Sequence, residues 1–180
     1  MSRHTLTPWE TLSSKLVFDN PWWKIFHEKV RLPDGSAYDF YPNEGVDGVV
    51  IFGMTQGGDV LLQRQYKHGA KDVVTEFPMG RIEPGEAPEI AARREFREET
   101  GYAPGSVELL RELPIFPTAS RTHFHVFFFR DIQKVGEPDP DPREQGEAFF
   151  VPAKDVIARL LDGKTTLNSL GAAVLALRKL

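Results

Sequence analysis

GRIEPGEAPEIAARREFREETGY, residues 80–102, decides how the rest of this chain is read. In a helix of about 3.6 residues per turn, positions i, i+3 and i+4 share one face, so Glu95, Glu98 and Glu99 project side by side. Three carboxylates so placed repel one another unless cations neutralise them, and hard oxygen donors suit Mg²⁺, with Mn²⁺ as the near alternative. Gly80 and Gly85 allow positive φ and a close approach of main chain to ligand, as a loop wrapping a helix N-terminus requires. Pro88 suits the first turn, Glu89 complements the positive end of the helix dipole, and Ala91 and Ala92 let the helix lie close to a sheet. Arg94, four residues before Glu98, can brace a carboxylate or touch a phosphate. Gly101 stops the helix as a residue able to turn left-handed. A merely solvated acidic helix would need neither the flanking glycines nor an arginine inside the acidic set.

Composition bounds the rest. A chain of 180 residues with no cysteine fits one catalytic domain with a proper core, without disulfides or thiolate metal sites. The N-terminus lacks a secretory pattern and no apolar run could span a bilayer, so the expected location is cytoplasmic, with no membrane association. A net charge of −4 argues against a nucleic-acid surface. An anionic substrate remains open if metal ions bring it in.

Alternation places strands over residues 14–19, 22–32 and 37–41, with Pro33-Asp34-Gly35-Ser36 as the hairpin turn, giving an N-terminal antiparallel ribbon. A second hairpin covers 46–54 and 60–66, and a short strand at 73–77 feeds the segment 80–102. Strands follow at 107–114, 122–130 and 148–151. The Pro-rich, acidic stretch 135–145 reads as loop, and helices are expected over 153–161 and 167–180. This mixture indicates an α+β fold.

Gly80, Glu86, Arg94, Glu95, Glu98, Glu99 and Gly101 stand at every fixed polar and glycine position of the Nudix box. At roughly 7% usage per residue type, seven such agreements arise by chance about once in 10⁸ placements. The chain thus resembles the Nudix hydrolases, with Phe96 and Tyr102 at the bulky aliphatic positions. RLPDGSAYDFY, VLLQRQYKHGAKDVVTEFPMG and Pro117 downstream of the box are similar to the ADP-ribose pyrophosphatase, or nucleoside diphosphate sugar hydrolase, branch. The resemblance implies a Nudix fold, an α/β/α sandwich with a mixed sheet plus the N-terminal strand ribbon. Residues 1–44 would form the ribbon, a dimerisation element, and residues 45–180 the hydrolase domain.

It also implies hydrolysis of the diphosphate bridge of a nucleotide sugar, ADP-ribose first, to two monophosphates. Metal ions would neutralise the bridge and lower the pKa of a bound water. Alternatives are dinucleoside polyphosphates or nucleoside triphosphates as substrates, or a nucleotide sensor that does not cleave. Carried over residue by residue, the resemblance gives metal binding to Glu95 and Glu99, with Glu98 close by, the Met79 carbonyl as a further ligand and Glu86 through water. Arg94 would orient the carboxylates. For the general base it offers Glu144 and Glu147 without choosing between them.

Arg64 is a candidate for gripping the distal phosphate or sugar, or else a surface strand arginine. Glu76 would hold a ribose hydroxyl or bond backbone amides. Adjacent tryptophans in a strand face opposite sides, so one of Trp22 and Trp23 would pack inward while the other offers a flat surface to a base. Related enzymes lend the ribbon to a partner's site, which implies a homodimer. His123 and His125 share a strand face, but lack a third nitrogen or sulfur ligand for zinc.

Overall fold

Val49, Val50, Ile51 and Phe52 form a continuous apolar run without exposed surface. A strand reads this way when it is covered on both faces. The computed structural model, which describes residues 6–144 and 146–180, shows that covering. In chain order the strands are β1 (Glu10–Asp19), β2 (Trp23–Arg31), β3 (Ala37–Phe40), β4 (Asn43–Gly45), β5 (Gly48–Met54), β6 (Asp59–Lys67), β7 (Asp72–Glu76) and β8 (Met79–Arg81). After helix α1 (Pro88–Thr100) come β9 (Tyr102–Ala103), β10 (Ser106–Pro114), β11 (His123–Arg130), β12 (Gln133–Lys134) and β13 (Gly146–Pro152), then α2 (Val156–Leu161) and α3 (Leu167–Leu177).

The chain forms two compact units. One comprises the chain through Val46 together with Pro114–Thr122, and the other Asp47–Leu113 with His123–Leu180. In the first, β2 pairs antiparallel with β1, β3 and β4, and irregularities between Thr11 and Ser13 and between Leu16 and Phe18 bend the β1 edge. Glu28 is buried there, accepting from Ser14 at 2.9 Å and from Arg121 at 2.7 Å. These contacts depress its pKa although burial acts the other way. This ion pair pins Pro114–Thr122 to the ribbon.

In the second unit the strand order is β10-β11-β5-β6-β13, with β7 on β6 and β8 on β5. The β11 and β5 pair is parallel and β5 to β6 antiparallel, so the sheet is mixed as expected. Alternate residues of β5 go to opposite layers. Val49 and Ile51 pack with Ala91, Ala92 and Phe96 of α1, whereas Val50 and Phe52 pack with Val156, Leu160, Ala172, Ala173 and Ala176 of α2 and α3. This is the α/β/α sandwich. Among the described residues no helix is long and apolar enough to cross a membrane.

Several expectations need correction. The short strands β4, β8, β9 and β12 are too brief for periodicity to show and exist only because a partner strand lies alongside. The helix expected over 153–161 opens as a 3₁₀ turn at Ala153–Asp155, and the last helix ends at Leu177 rather than at 180. Trp22 precedes β2 in a turn where Asn20 Oδ1 accepts the N–H groups of both Trp22 and Trp23 at 2.9 and 2.7 Å. Neither tryptophan is packed inward, at 47% and 51% exposure.

Phe96 fixes α1 on the sheet. Its ring lies so close over Gly53 that a β-carbon there would meet it at 2.5 Å, and it stacks edge-on against Phe129. Phe96→Ala should cost about 3–5 kcal/mol and Gly53→Ala, by overpacking, about 1–3 kcal/mol in urea unfolding. A Phe96→Ala variant as stable as the wild type would show that α1 is not anchored this way.

Candidate active site

The box helix starts without a side-chain cap. Pro88 occupies its first turn, and Glu89 pairs with Arg93 one turn on at 2.8 Å. Gly101 closes it in the left-handed region at φ 76°, its N–H bonded to Arg97 O at 2.8 Å. Ala91, Ala92 and Phe96 are spent on the core, which turns Glu99 toward β6 and Glu95 toward β8. Gly80 does not use positive φ here. The Glu95 carboxylate rests so tightly on it that any β-carbon at this position would overlap the carboxyl carbon.

Arg94 is the hub. Its guanidinium donates to both oxygens of Glu86 at 2.9 Å, to Glu95 Oε1 at 2.8 Å, to Glu98 Oε2 at 3.3 Å and to Arg81 O at 3.0 Å. Glu86 is thereby held below the usual carboxylate range, and the Arg94 pKa is raised. Glu95 goes the other way, because burial outweighs the help of Arg94. Glu99 is extreme. Although part of the residue meets solvent, its carboxyl is closely surrounded, and desolvation pushes it up to about 8 against the bonds from Gln63 at 3.3 Å and the Met79 N–H at 3.1 Å.

Glu76 on β7 lies opposite Gln63, fully buried, with a raised pKa caused first by burial. Its Oε1 lies 2.8 Å from Lys67 Nζ, an ion-pair contact rather than a well-aligned hydrogen bond, since neither Glu76 oxygen meets hydrogen-bond geometry. The expected ribose contact is therefore corrected: Glu76 presents no surface to a ligand, and its partner is Lys67. Sequence reading missed Lys67 and Gln63. The available signal was two-residue alternation, since Leu61, Gln63, Gln65 and Lys67 share the α1 face of β6.

The same alternation corrects Arg64. It stands with Val60 and Leu62 on the α3 face, directly opposite Glu147 of β13, away from the box carboxylates. Glu147 shares that face with Phe149 and Val151. Glu144, by contrast, lies within electrostatic reach of Glu76, Glu95 and Glu99 and adds to the upward push on each. Of the remaining candidates, Trp22, Trp23 and Pro117 belong to the first unit, Pro117 in an exposed turn closed by the Ala119 N–H on Phe116 O at 3.0 Å. His125 comes no nearer to a carboxylate than 4.0 Å, from Glu112.

Whether this donor set fits a divalent cation can be judged from the carboxyls themselves. Glu95 and Glu99 are crowded and deprived of water, with less positive charge around them than their own negative charge demands, which is the condition a hard divalent ion relieves. Among the described residues no three acidic or histidine side chains are already drawn around one point. Glu98, 46% exposed at its side chain, is free to turn inward. The residues fit.

The raised Glu99 pKa makes stability depend on pH. Without metal, the folded protein keeps this proton up to about pH 8, whereas the unfolded chain releases it near 4.5. The stabilisation is therefore complete below the lower value and is lost as pH rises through the upper one. In EDTA, the thermal midpoint of Glu99→Gln should gain on the wild type from about pH 5 to about pH 8.5. A gap that does not change with pH would contradict the shift.

Residues 44–169 match the NUDIX domain family, and residues 9–42 match the nucleoside diphosphate sugar hydrolase N-terminal domain family. An ADP-ribose pyrophosphatase of Bacillus subtilis is 26% identical, over 82% of this chain and 77% of its own length. Another from Mycobacterium tuberculosis is 27% identical, over 93% of this chain and 82% of its own. A crystal structure of an ADP compounds hydrolase shares the fold at a TM-score of 0.81, covering 97% of this chain and 95% of its own at 18% identity. Nudix hydrolases generally work with divalent cations. With the match running unbroken through the sheet, the box helix and its carboxylates, the chain belongs to the Nudix family.

Proposed function

We propose that this protein hydrolyses the diphosphate bridge of a nucleoside diphosphate sugar, with ADP-ribose as first choice, to a nucleoside monophosphate and a sugar phosphate. The observation that carries the chemistry is the pair of desolvated box carboxyls, Glu95 and Glu99, seated beside Gly80 and Met79. The choice of substrate is supported by the two ADP-ribose pyrophosphatases similar to this chain and by the matched N-terminal domain.

Glu95, Glu98 and Glu99, with the Met79 carbonyl, would hold Mg²⁺, and Glu86 would support them through Arg94. The ion supplies neutralisation of the diphosphate and acidification of a water. Arg94 keeps Glu95 and Glu98 from springing apart before the ion arrives. Lys67 offers an ammonium to a phosphate oxygen, taking the role expected of Arg64. Glu144 takes the proton of the attacking water, a choice over Glu147 supported by its charge being felt at Glu76, Glu95 and Glu99. Water adds to one phosphorus, the bridging bond breaks, and the bridging oxygen leaves on the other phosphate. The exposed Trp22 and Trp23, with Pro117, would serve base recognition in a homodimer, in the cytoplasm.

ADP-ribose, GDP-mannose, UDP-glucose, diadenosine polyphosphates and nucleoside triphosphates, each with Mg²⁺ and with EDTA, distinguish the readings by monophosphate release. Metal-dependent cleavage should be fastest with a nucleotide sugar, and Glu99→Gln should lower kcat by orders of magnitude while the fold persists. Binding without cleavage across the panel would favour a sensor. Equilibrium sedimentation at micromolar concentration should return a dimer mass; a monomer would remove the shared-site reading.

A further inference from the structure

The segment joining β12 to β13 contains Pro138-Asp139-Pro140-Asp141-Pro142-Arg143-Glu144, three prolines at alternate positions just before a single glutamate. Each proline fixes its own φ and restrains the residue before it to extended conformations, so Glu137, Asp139 and Asp141 are constrained as well. Such a sequence makes a stiff spacer rather than a floppy loop.

Both ends of this strap are fixed. At the start, the N–H groups of Val135 and Gly136 bond Gly101 O at 2.9 and 3.2 Å, and the Asp139 N–H bonds Glu98 O at 2.8 Å. The strap is thus tied to the last turn of α1, the turn that carries Glu98 and Glu99. A side chain at Gly101 would strike Gly136 O, so the glycine that ends the helix also admits the strap. At the far end, Gly146 enters β13 opposite Gln65 of β6. Just before Glu144 the chain turns on Asp141. Its carboxylate accepts the Arg143 N–H at 2.8 Å, Nε–H at 2.8 Å and Nη2–H at 2.6 Å, and its carbonyl accepts the Glu144 N–H at 2.8 Å.

From this we infer that residues 136–144 form a preorganised strap whose prolines and Asp141 turn hold Glu144 near the box carboxylates before substrate arrives. Pro140, Pro142 and Asp141 are then positioning residues acting through Glu144. The inference rests on Glu144 being the base of the proposed hydrolysis. Free of the strap, the same glutamate would have to be ordered in each turnover, and that ordering would appear in kcat rather than in substrate affinity.

Kinetics with ADP-ribose and Mg²⁺ on the wild type, E144Q, the P140G/P142G pair and the triple variant test it. The glycine pair should lose roughly tenfold to a hundredfold in kcat with KM unchanged, while the thermal midpoint falls only by the few degrees that two proline-to-glycine changes cost through the unfolded chain. In the E144Q background the same pair should cost nothing further, because the group it positions is gone. Wild-type kcat in the glycine pair while E144Q is impaired would overturn the strap alone. An equal loss in both backgrounds would show that the prolines act on something other than Glu144, and overturn it too. Wild-type kcat in E144Q would remove the base on which the inference rests.

Discussion

Two carboxyl groups kept from water, Glu95 and Glu99, impose the constraint to which the rest of the second unit answers. Burying an uncompensated carboxylate costs several kcal/mol, so the surroundings must hold these groups in place against their tendency to swing out. Three features do so. Phe96, Ala91 and Ala92 lock the helix to the sheet, Gly80 leaves room for Glu95 and nothing else, and Arg94 bridges Glu95 to Glu86 and Glu98. Each core aromatic contributes about 1.5–3 kcal/mol by burial, enough for Phe96 and its neighbours to offset a site that is strained on its own account. A site of this kind is poorly stable alone and well prepared for a divalent ion.

The central sheet sorts polar residues as strictly as apolar ones. Because β6 alternates, Gln63 and Lys67 are delivered to the α1 layer, where Gln63 meets Glu99 and Lys67 meets Glu76, while Arg64 is sent to the α3 layer. Across the β6 and β13 register, Glu147 follows Arg64. Glu144, outside the strand, escapes that rule and lies within electrostatic reach of the carboxylates. A charged residue's chemistry is thus decided by its parity in a strand before its side chain is considered.

The first unit depends on one buried contact of its own. Glu28, with Ser14 and Arg121 on it, joins the ribbon to Pro114–Thr122, segments far apart in sequence. Arg121 also lies 5.3 Å from the centre of the Phe26 ring, which keeps the guanidinium in place for the ion pair. An isolated hairpin is marginal in water, and this cross-link with a fourth strand gives the ribbon a reason to persist.

From the sequence alone, the box could be read as a helix with Glu95, Glu98 and Glu99 on one face, Arg94 as their brace and Gly101 as their stop, because helical spacing and capping are local properties. The same holds for the long strands and for the loop before β13. Other features came only from tertiary structure: that Gly80 serves as a seat for Glu95, that Glu99 is pushed up to about 8, that Lys67 lies on the α1 face of β6 and Arg64 on the other, and that Glu144, not Glu147, is within electrostatic reach of the box carboxylates. Desolvation, close approach and strand parity depend on which segments come to lie together. Spacing along the chain fixes which groups are neighbours on one element, and only packing fixes what surrounds them.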